Sequence, residues 1–267
     1  MSNKKLDTRA CQSKVDKRRI NCYYAFMLRR MFKALTDILY PKVCLSCKKR
    51  ISQDRGEELI CRGCFALIKM NLPPFCSLCG RHLEKEGLQK NSCPSCAGKD
   101  FYFKRAFSPC VYEGIIKTLV HELKYRGKEN LAAILSKIMA DFIREYNLPL
   151  EYIDYIIPVP LHKIKLRERE FNQAQLLGMH LAKEFNKEIV SDALVRIRHT
   201  RTQTELKETE RFANVEGCFS ADRSLDLTGK NVLLVDDVLT TGATASEAAK
   251  ALKGSGANKV LVLTLAN

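Results

Sequence analysis

Residues 231–244 read NVLLVDDVLTTGAT. The β-branched and apolar run Val232–Val235 predicts a buried strand. It ends in two adjacent carboxylates, Asp236 and Asp237. A loop of small and hydroxyl-bearing residues follows, Thr240, Thr241, Gly242, Ala243 and Thr244, and Ala245–Lys253 predicts a helix. Backbone N–H groups of such a loop, together with the positive end of the helix dipole, favour an anion. The stretch has neither the lysine of a P-loop nor the spaced glycines of a dinucleotide fingerprint. It places two carboxylates ahead of the anion nest instead, where they can accept hydrogen bonds from vicinal sugar hydroxyls. The expected ligand carries a sugar and, a few ångströms away, a phosphate. The plainer reading, a buried strand closing on an ordinary acidic turn, leaves the TTGAT loop behind the acids without a reason.

Working outward, 267 residues suffice for one full α/β domain and a smaller module. No apolar run is long enough to span a bilayer. The polar, basic start has no signal-peptide core. Twelve cysteines without an export signal point to a reducing compartment and metal binding, so the expectation is a cytoplasmic protein with no membrane insertion. The net charge is +15, and residues 1–50 carry a surplus of 11 positive charges within it. A basic end of this kind suits nucleic acid or an acidic partner, although residues 1–26 have the composition of a solvated, disordered tail.

Met31–Leu39 has the apolar spacing of a short helix, closed by Pro41. Four C-x2-C pairs follow: Cys44/Cys47, Cys61/Cys64, Cys76/Cys79 and Cys93/Cys96. Thirteen residues separate the first two pairs, and thirteen separate the last two. This repeat predicts two zinc ribbons, because two knuckles complete a tetrahedron of thiolates. With four thiolate ligands each, the sites are closed and structural, and the metals supply folding energy to a stretch too short for its own core. Pairing is either sequential, four cysteines per ion in chain order, or cross-braced. Cys110 and Cys218 read as buried residues.

Beyond the ribbons, Asp100–Cys110 predicts an aromatic-rich strand whose Phe101, Tyr102, Phe103 and Phe107 serve the core or, alternatively, stack on bases. Glu113–Tyr125, Asn130–Tyr146 and Phe171–Phe185 predict helices. Tyr152–Pro160, Glu188–Val195, Val215–Phe219 and Lys259–Leu265 predict strands. Alternation from about residue 150 implies a parallel sheet, with ligands beyond its C-terminal strand ends. The Pro-Val-Pro turn, the basic segment 196–211 and the TTGAT loop are expected there. The fold expectation is α/β: a disordered basic extension over 1–30, a double zinc ribbon over 31–99 and a parallel sheet flanked by helices over 100–267.

The 231–244 stretch resembles the phosphoribosyl pyrophosphate (PRPP) signature of type I phosphoribosyltransferases. From about Leu35 onward the chain resembles the ComF family of competence proteins. The resemblance rests on YPKVCLSC at 40–47, the later cysteine pairs, Tyr112-Glu113-Gly114, Leu123-Lys124-Tyr125, PVPL at 158–161, FNQA at 171–174, Thr200 with Gln203, Arg211 with Asn214, and the acidic loop. One departure is Glu170, which stands where the family commonly has glycine. The resemblance implies a type I phosphoribosyltransferase fold with an N-terminal zinc module, and a role in DNA uptake beside a ComFA-like helicase.

Under that implication Asp236 and Asp237 hold the ribose hydroxyls, and one of them shuttles a proton. Thr240, Thr241, Gly242, Ala243 and Thr244 hold the 5′-phosphate. Backbone groups of Val159 and Leu161, with Lys163, face the pyrophosphate and its Mg2+, and Arg198, Arg201 or Arg211 closes over it. Competing readings are a binding module for single-stranded DNA or a helicase, whose PRPP pocket does not turn over; an active cytosolic phosphoribosyltransferase with an unidentified acceptor, unrelated to DNA; and a PRPP-responsive regulator.

Overall fold

The computed structural model describes residues 27–28, 31, 41–51, 59–84, 91–200, 208–222 and 224–267. The tail expected over 1–26 and nearly all of the helix expected over 31–39 lie outside these. Two compact units divide the chain, Met1–Arg62 and Gly63–Asn267.

In the larger unit, strand β1 (Arg105–Phe107) leads to helices α1 (Gly114–Tyr125) and α2 (Leu131–Glu145). Strand β2 (Tyr155–Pro158), the short helix α3 (Lys163–Arg169) and helix α4 (Gln173–Phe185) follow. The chain continues through β3 (Glu188–Ile189), β4 (Leu194–Arg196), α5 (Glu208–Val215) and β5 (Phe219–Ala221). It closes with β6 (Asn231–Val238), α6 (Ala243–Gly254) and β7 (Lys259–Ala266). Five strands form a parallel sheet in the order β1-β7-β6-β2-β3.

The expected α/β sheet is present, and it starts earlier than residue 150, because β1 pairs with β7 at one edge. β6 lies between β7 and β2, with Leu234 opposite Val262 and Ile157. Val232, Leu233, Leu234 and Val235 are all buried. A strand covered on both faces needs this unbroken apolar run. Val232, Leu234, Ile157 and Val159 share one cluster with Ala245, Ala248 and Ala249 of α6. On the opposite face α4 packs against β2 and β6, with Gly178 of α4 close to Ile156 and Pro158.

The region before β6 differs from the sequence expectation. Glu188–Val195 is two elements: β3 joins the parallel sheet, while β4 leaves it to pair antiparallel with β5. Val215 ends helix α5 and the strand begins at Phe219. The apolar residues of these short segments fit either period, so pattern alone could not separate them. Tyr152 belongs to a 3-10 turn ahead of β2. Phe103 and Phe107 are core residues, and Phe101 stacks on Phe103 at 4.7 Å between centroids, which favours packing over base stacking for these rings. Tyr102 is half exposed beneath the Lys250 ammonium. Among the described residues no helix is long and apolar enough to cross a membrane.

Candidate functional site

The cysteines assemble in sequential order. Cys44, Cys47, Cys61 and Cys64 form one group, and Cys76, Cys79, Cys93 and Cys96 form the other, the four sulfurs of each lying within 4.8 Å of one another. A tetrahedron with Zn–S near 2.3 Å has S···S edges of about 3.8 Å. Cys47 and Cys61 are 3.7 Å apart at Sγ, and Cys79 and Cys93 3.6 Å. In each group a backbone N–H points at a sulfur: Cys61 at Cys44 and Cys93 at Cys76, both at 3.4 Å. Burial raises the Cys44 thiol, but backbone donors from Cys61, Cys47 and Ser46 outweigh it and bring the group down to about 6. An all-thiolate set with such donors fits zinc.

β6 carries the acid pair. Successive strand residues alternate faces, so Asp237 shares the side of Leu233 and Val235 while Asp236 shares that of Leu234. The pair therefore flanks the strand end rather than projecting from one side. The Asp237 N–H donates to Asp236 Oδ1 at 2.8 Å. Asp237 is buried, and Lys124 Nζ, from the last turn of α1, lies 2.9 and 2.8 Å from its two oxygens. Burial alone lowers the Lys124 ammonium, yet the charge and hydrogen bond of Asp237 carry it above its ordinary value. Among the described residues no cation is in contact with Asp236. Burial first, and the Asp237 charge second, push its carboxyl up to about 7, while Lys124 and Arg196 oppose the rise. Tyr112 faces the same group: burial raises its phenol, Lys124 lowers it and Asp237 adds to the rise.

Behind the acids the chain turns at Thr240 and Thr241 into Gly242, whose φ of +80° caps α6. A Cβ on Gly242 would sit 2.8 Å from the Phe101 ring, so glycine is required here both by conformation and by space. Ala243 is buried, Thr240 is exposed, and Thr241 and Thr244 are half-buried. The Ala243 N–H approaches Thr241 Oγ1 at 3.4 Å.

The turn after β2 is built differently from expectation. The Val159 N–H donates to the Val235 carbonyl at 2.9 Å, extending the β2–β6 ladder, so that donor is already committed. The Val159 carbonyl accepts from Asn172 Nδ2 at 3.0 Å, and Asn172 Oδ1 caps α4 by accepting from the Ala174 N–H. FNQ thus ties the Pro-Val-Pro turn to a helix start. Leu161 is half-buried, and Lys163 is exposed at the first turn of α3. Glu170 has φ +68°, the left-handed conformation that explains the family's glycine.

Among the basic candidates, Arg198 donates to the carbonyls of Asn214 and Glu216 and so fastens the end of α5. Arg211 lies on α5, which packs on α6. Arg201 lies outside the described residues. Arg196, not assigned to the site from sequence, bonds Thr200 Oγ1 at 2.6 Å and lies over the Phe219 ring, and its charge weakly opposes the rise at Asp236. Lys124 was also missed. It was legible in the Leu123-Lys124-Tyr125 motif, but nothing in the sequence tied it to an acid 113 residues away. A groove of about 430 Å³ between α2 and α4, lined by Lys137, Arg144, His180, Lys183 and Glu184, includes none of these residues. Its Arg144 is already paired with Asp141 and Glu184.

Two domain profiles match this architecture: a double zinc ribbon domain over residues 35–97 and a phosphoribosyl transferase domain over residues 172–267. The class is thus a phosphoribosyltransferase-type α/β domain joined to a double zinc ribbon. The DNA utilization protein YhgH of Salmonella typhi is 30% identical over 229 residues, 84% of this chain and 96% of that protein. Competence protein F of Haemophilus influenzae is 28% identical over 228 residues, again 84% and 96%. Competence protein ComFC of Bacillus subtilis is 27% identical over 234 residues, 82% and 91%. The chain belongs to the ComF family of competence and DNA-utilization proteins.

Proposed function

We propose that the protein binds PRPP, with the loop Thr240–Thr244 on the 5′-phosphate and the acids Asp236 and Asp237 on the ribose hydroxyls. The observation that carries this reading is the juxtaposition of the acid pair with a Gly242-capped helix N-terminus at the C-terminal edge of a parallel sheet. Lys124 offsets the charge of Asp237, so the site can admit a polyanion without two bare carboxylates facing it. Asp236, titrating near neutrality, is the group suited to hold or release a proton at a ribose hydroxyl. Leu161 and Lys163 would line the pyrophosphate side. Mg2+ would neutralise the pyrophosphate oxygens, and an oxygen-only donor set suits that ion. The domain reading that accompanies this keeps 31–99 as the ribbon segment and 100–267 as the PRPP-binding segment.

The test is a thermal-shift titration with PRPP and Mg2+. At about 100 times the Kd, binding stabilises by about 2.7 kcal/mol, a rise of about 5 °C or more. Asp236→Asn should lose most of it. No rise in wild type would end the reading.

A second part of the proposal concerns DNA. The relatives are named for competence and DNA utilization, and the positive surplus in the first 50 residues offers phosphate contacts. We read the protein as acting on DNA uptake through single-stranded DNA or a helicase partner, with PRPP bound in the same chain. Binding of a single-stranded oligonucleotide should weaken steeply with salt. Binding that ignores salt, or that is lost with Asp236→Asn, would refute this part. The alternative, an active phosphoribosyltransferase unrelated to DNA, requires pyrophosphate release with an acceptor.

A further inference from the structure

The second ribbon is built into the α/β unit. Cys76, Cys79, Cys93 and Cys96 are buried in the same cluster as Val232 and Leu234 of β6 and Ala245 of α6. The Ala106 N–H of β1 donates to the Leu78 carbonyl inside the Cys76–Cys79 knuckle at 2.7 Å. Gly80, at φ +71°, brings the knuckle so close to β1 that a Cβ would lie 2.4 Å from the Ala106 oxygen. Asn71 Nδ2 bridges the Gly80 and Ser108 carbonyls, 2.8 Å from each.

The next residue in the knuckle is Arg81. Its Nη2 donates to the carbonyl of Thr240 at 3.3 Å, and its Nη1 to Ser95 Oγ, between the ligands Cys93 and Cys96, at 3.4 Å. Beneath the loop, Phe101 fills the space left by the missing side chain of Gly242, and the Tyr102 N–H donates to Ser246 Oγ in the first turn of α6. The segment that leaves the last knuckle therefore underlies the loop from below while Arg81 holds it from the side.

We propose that the second ribbon positions the loop Thr240–Thr244, with Arg81 as the positioning residue, so that order in this loop depends on the metal held by Cys76, Cys79, Cys93 and Cys96. The geometric reason is that Arg81 extends from a knuckle that the metal closes, in addition to the contacts of Leu78 and Gly80 with β1. Four thiolates around an ion close it, and free thiols at these spacings do not. The link from loop order to ligand affinity rests on the phosphate reading above. Under that reading, a ribbon that loses its metal by chelation, or its thiolates by oxidation, also loses grip on a sugar phosphate.

The experiment uses the full chain loaded with zinc. Hydrogen exchange of a peptide spanning Leu239–Ser246 is compared between wild type, Arg81→Met and Arg81→Lys, with zinc content measured in each. Loss of a hydrogen bond of this kind corresponds to about a three- to tenfold change. Arg81→Met should speed exchange in this peptide by that factor with two zinc ions retained, and Arg81→Lys should recover part of the protection. Stripping zinc from wild type should speed the same peptide further while the β6–β7 core stays protected. Unchanged exchange in both Arg81→Met and the stripped protein overturns the proposal. Calorimetric titration with ribose 5-phosphate is the second arm, and its affinity should fall in step with exchange. If exchange responds but wild type binds no ribose 5-phosphate, the ribbon-to-loop link stands and the phosphate reading falls.

Discussion

Asp236 and Asp237 are neighbours in sequence with different company. Asp237 has a lysine on both oxygens, whereas Asp236 has burial and a neighbouring negative charge. Between about pH 4 and 7 the folded chain keeps a proton on Asp236 that the unfolded chain has released. Stability therefore falls as pH rises through this window, and Lys124, shifted upward, stays charged throughout it. Asp236→Asn keeps the Oδ1 acceptor for the Asp237 N–H and removes the titration. It should flatten the pH dependence and raise stability at pH 8 by about 1–3 kcal/mol, read from urea unfolding at pH 5 and pH 8. Lys124→Met leaves the Asp237 carboxylate buried and unpaired, at a cost of about 3 kcal/mol. The double variant Lys124→Met/Asp237→Asn should recover at least about 1 kcal/mol of that loss, which a double-mutant cycle measures.

At the scale of elements, α3 shows how a local strain marks a boundary. None of its residues is buried, and it ends on Glu170 in the left-handed region. Glu170→Gly should raise stability by about 0.5–1 kcal/mol, seen as a higher urea midpoint at unchanged slope, because glycine takes that conformation without a Cβ clash. α4 begins three residues later and owes its start to Asn172, which also holds the turn after β2. Elements with long periodic patterns are legible in the sequence: α1, α2, α4, β6 and β7 fall within a few residues of expectation. The short pieces between α4 and β6 are not. Two- and three-residue strands have too few side chains to show a period, and whether they join the main sheet depends on partners elsewhere.

For the whole molecule, the two ribbons repeat the same spacing in different surroundings. Cys76 is fully buried, whereas Cys47 is exposed. Cys76→Ser should therefore lower the thermal midpoint of the sheet-containing unit more than Cys47→Ser does. A strong chelator should lower the midpoint of the same unit while leaving its transition cooperative, because the buried β6–β7 core remains when the metal's contribution is removed. Calorimetry with parallel metal analysis checks both outcomes.

By itself the sequence determined the chemistry of the parts. Cysteine spacing set two thiolate tetrahedra, and an apolar run followed by two acids and a glycine turn set a strand, a site candidate and a helix start. These signals are local, carried by residues within one turn or one knuckle of each other. Only the tertiary structure decided which parts meet: Lys124 on Asp237, Arg196 on Thr200 and the Phe219 ring, Arg198 turned to the end of α5, and Arg81 of the second ribbon on the carbonyl of Thr240. Those meetings join residues up to 159 positions apart. Their cause is the burial of β6 between two layers, which no spacing along the chain records.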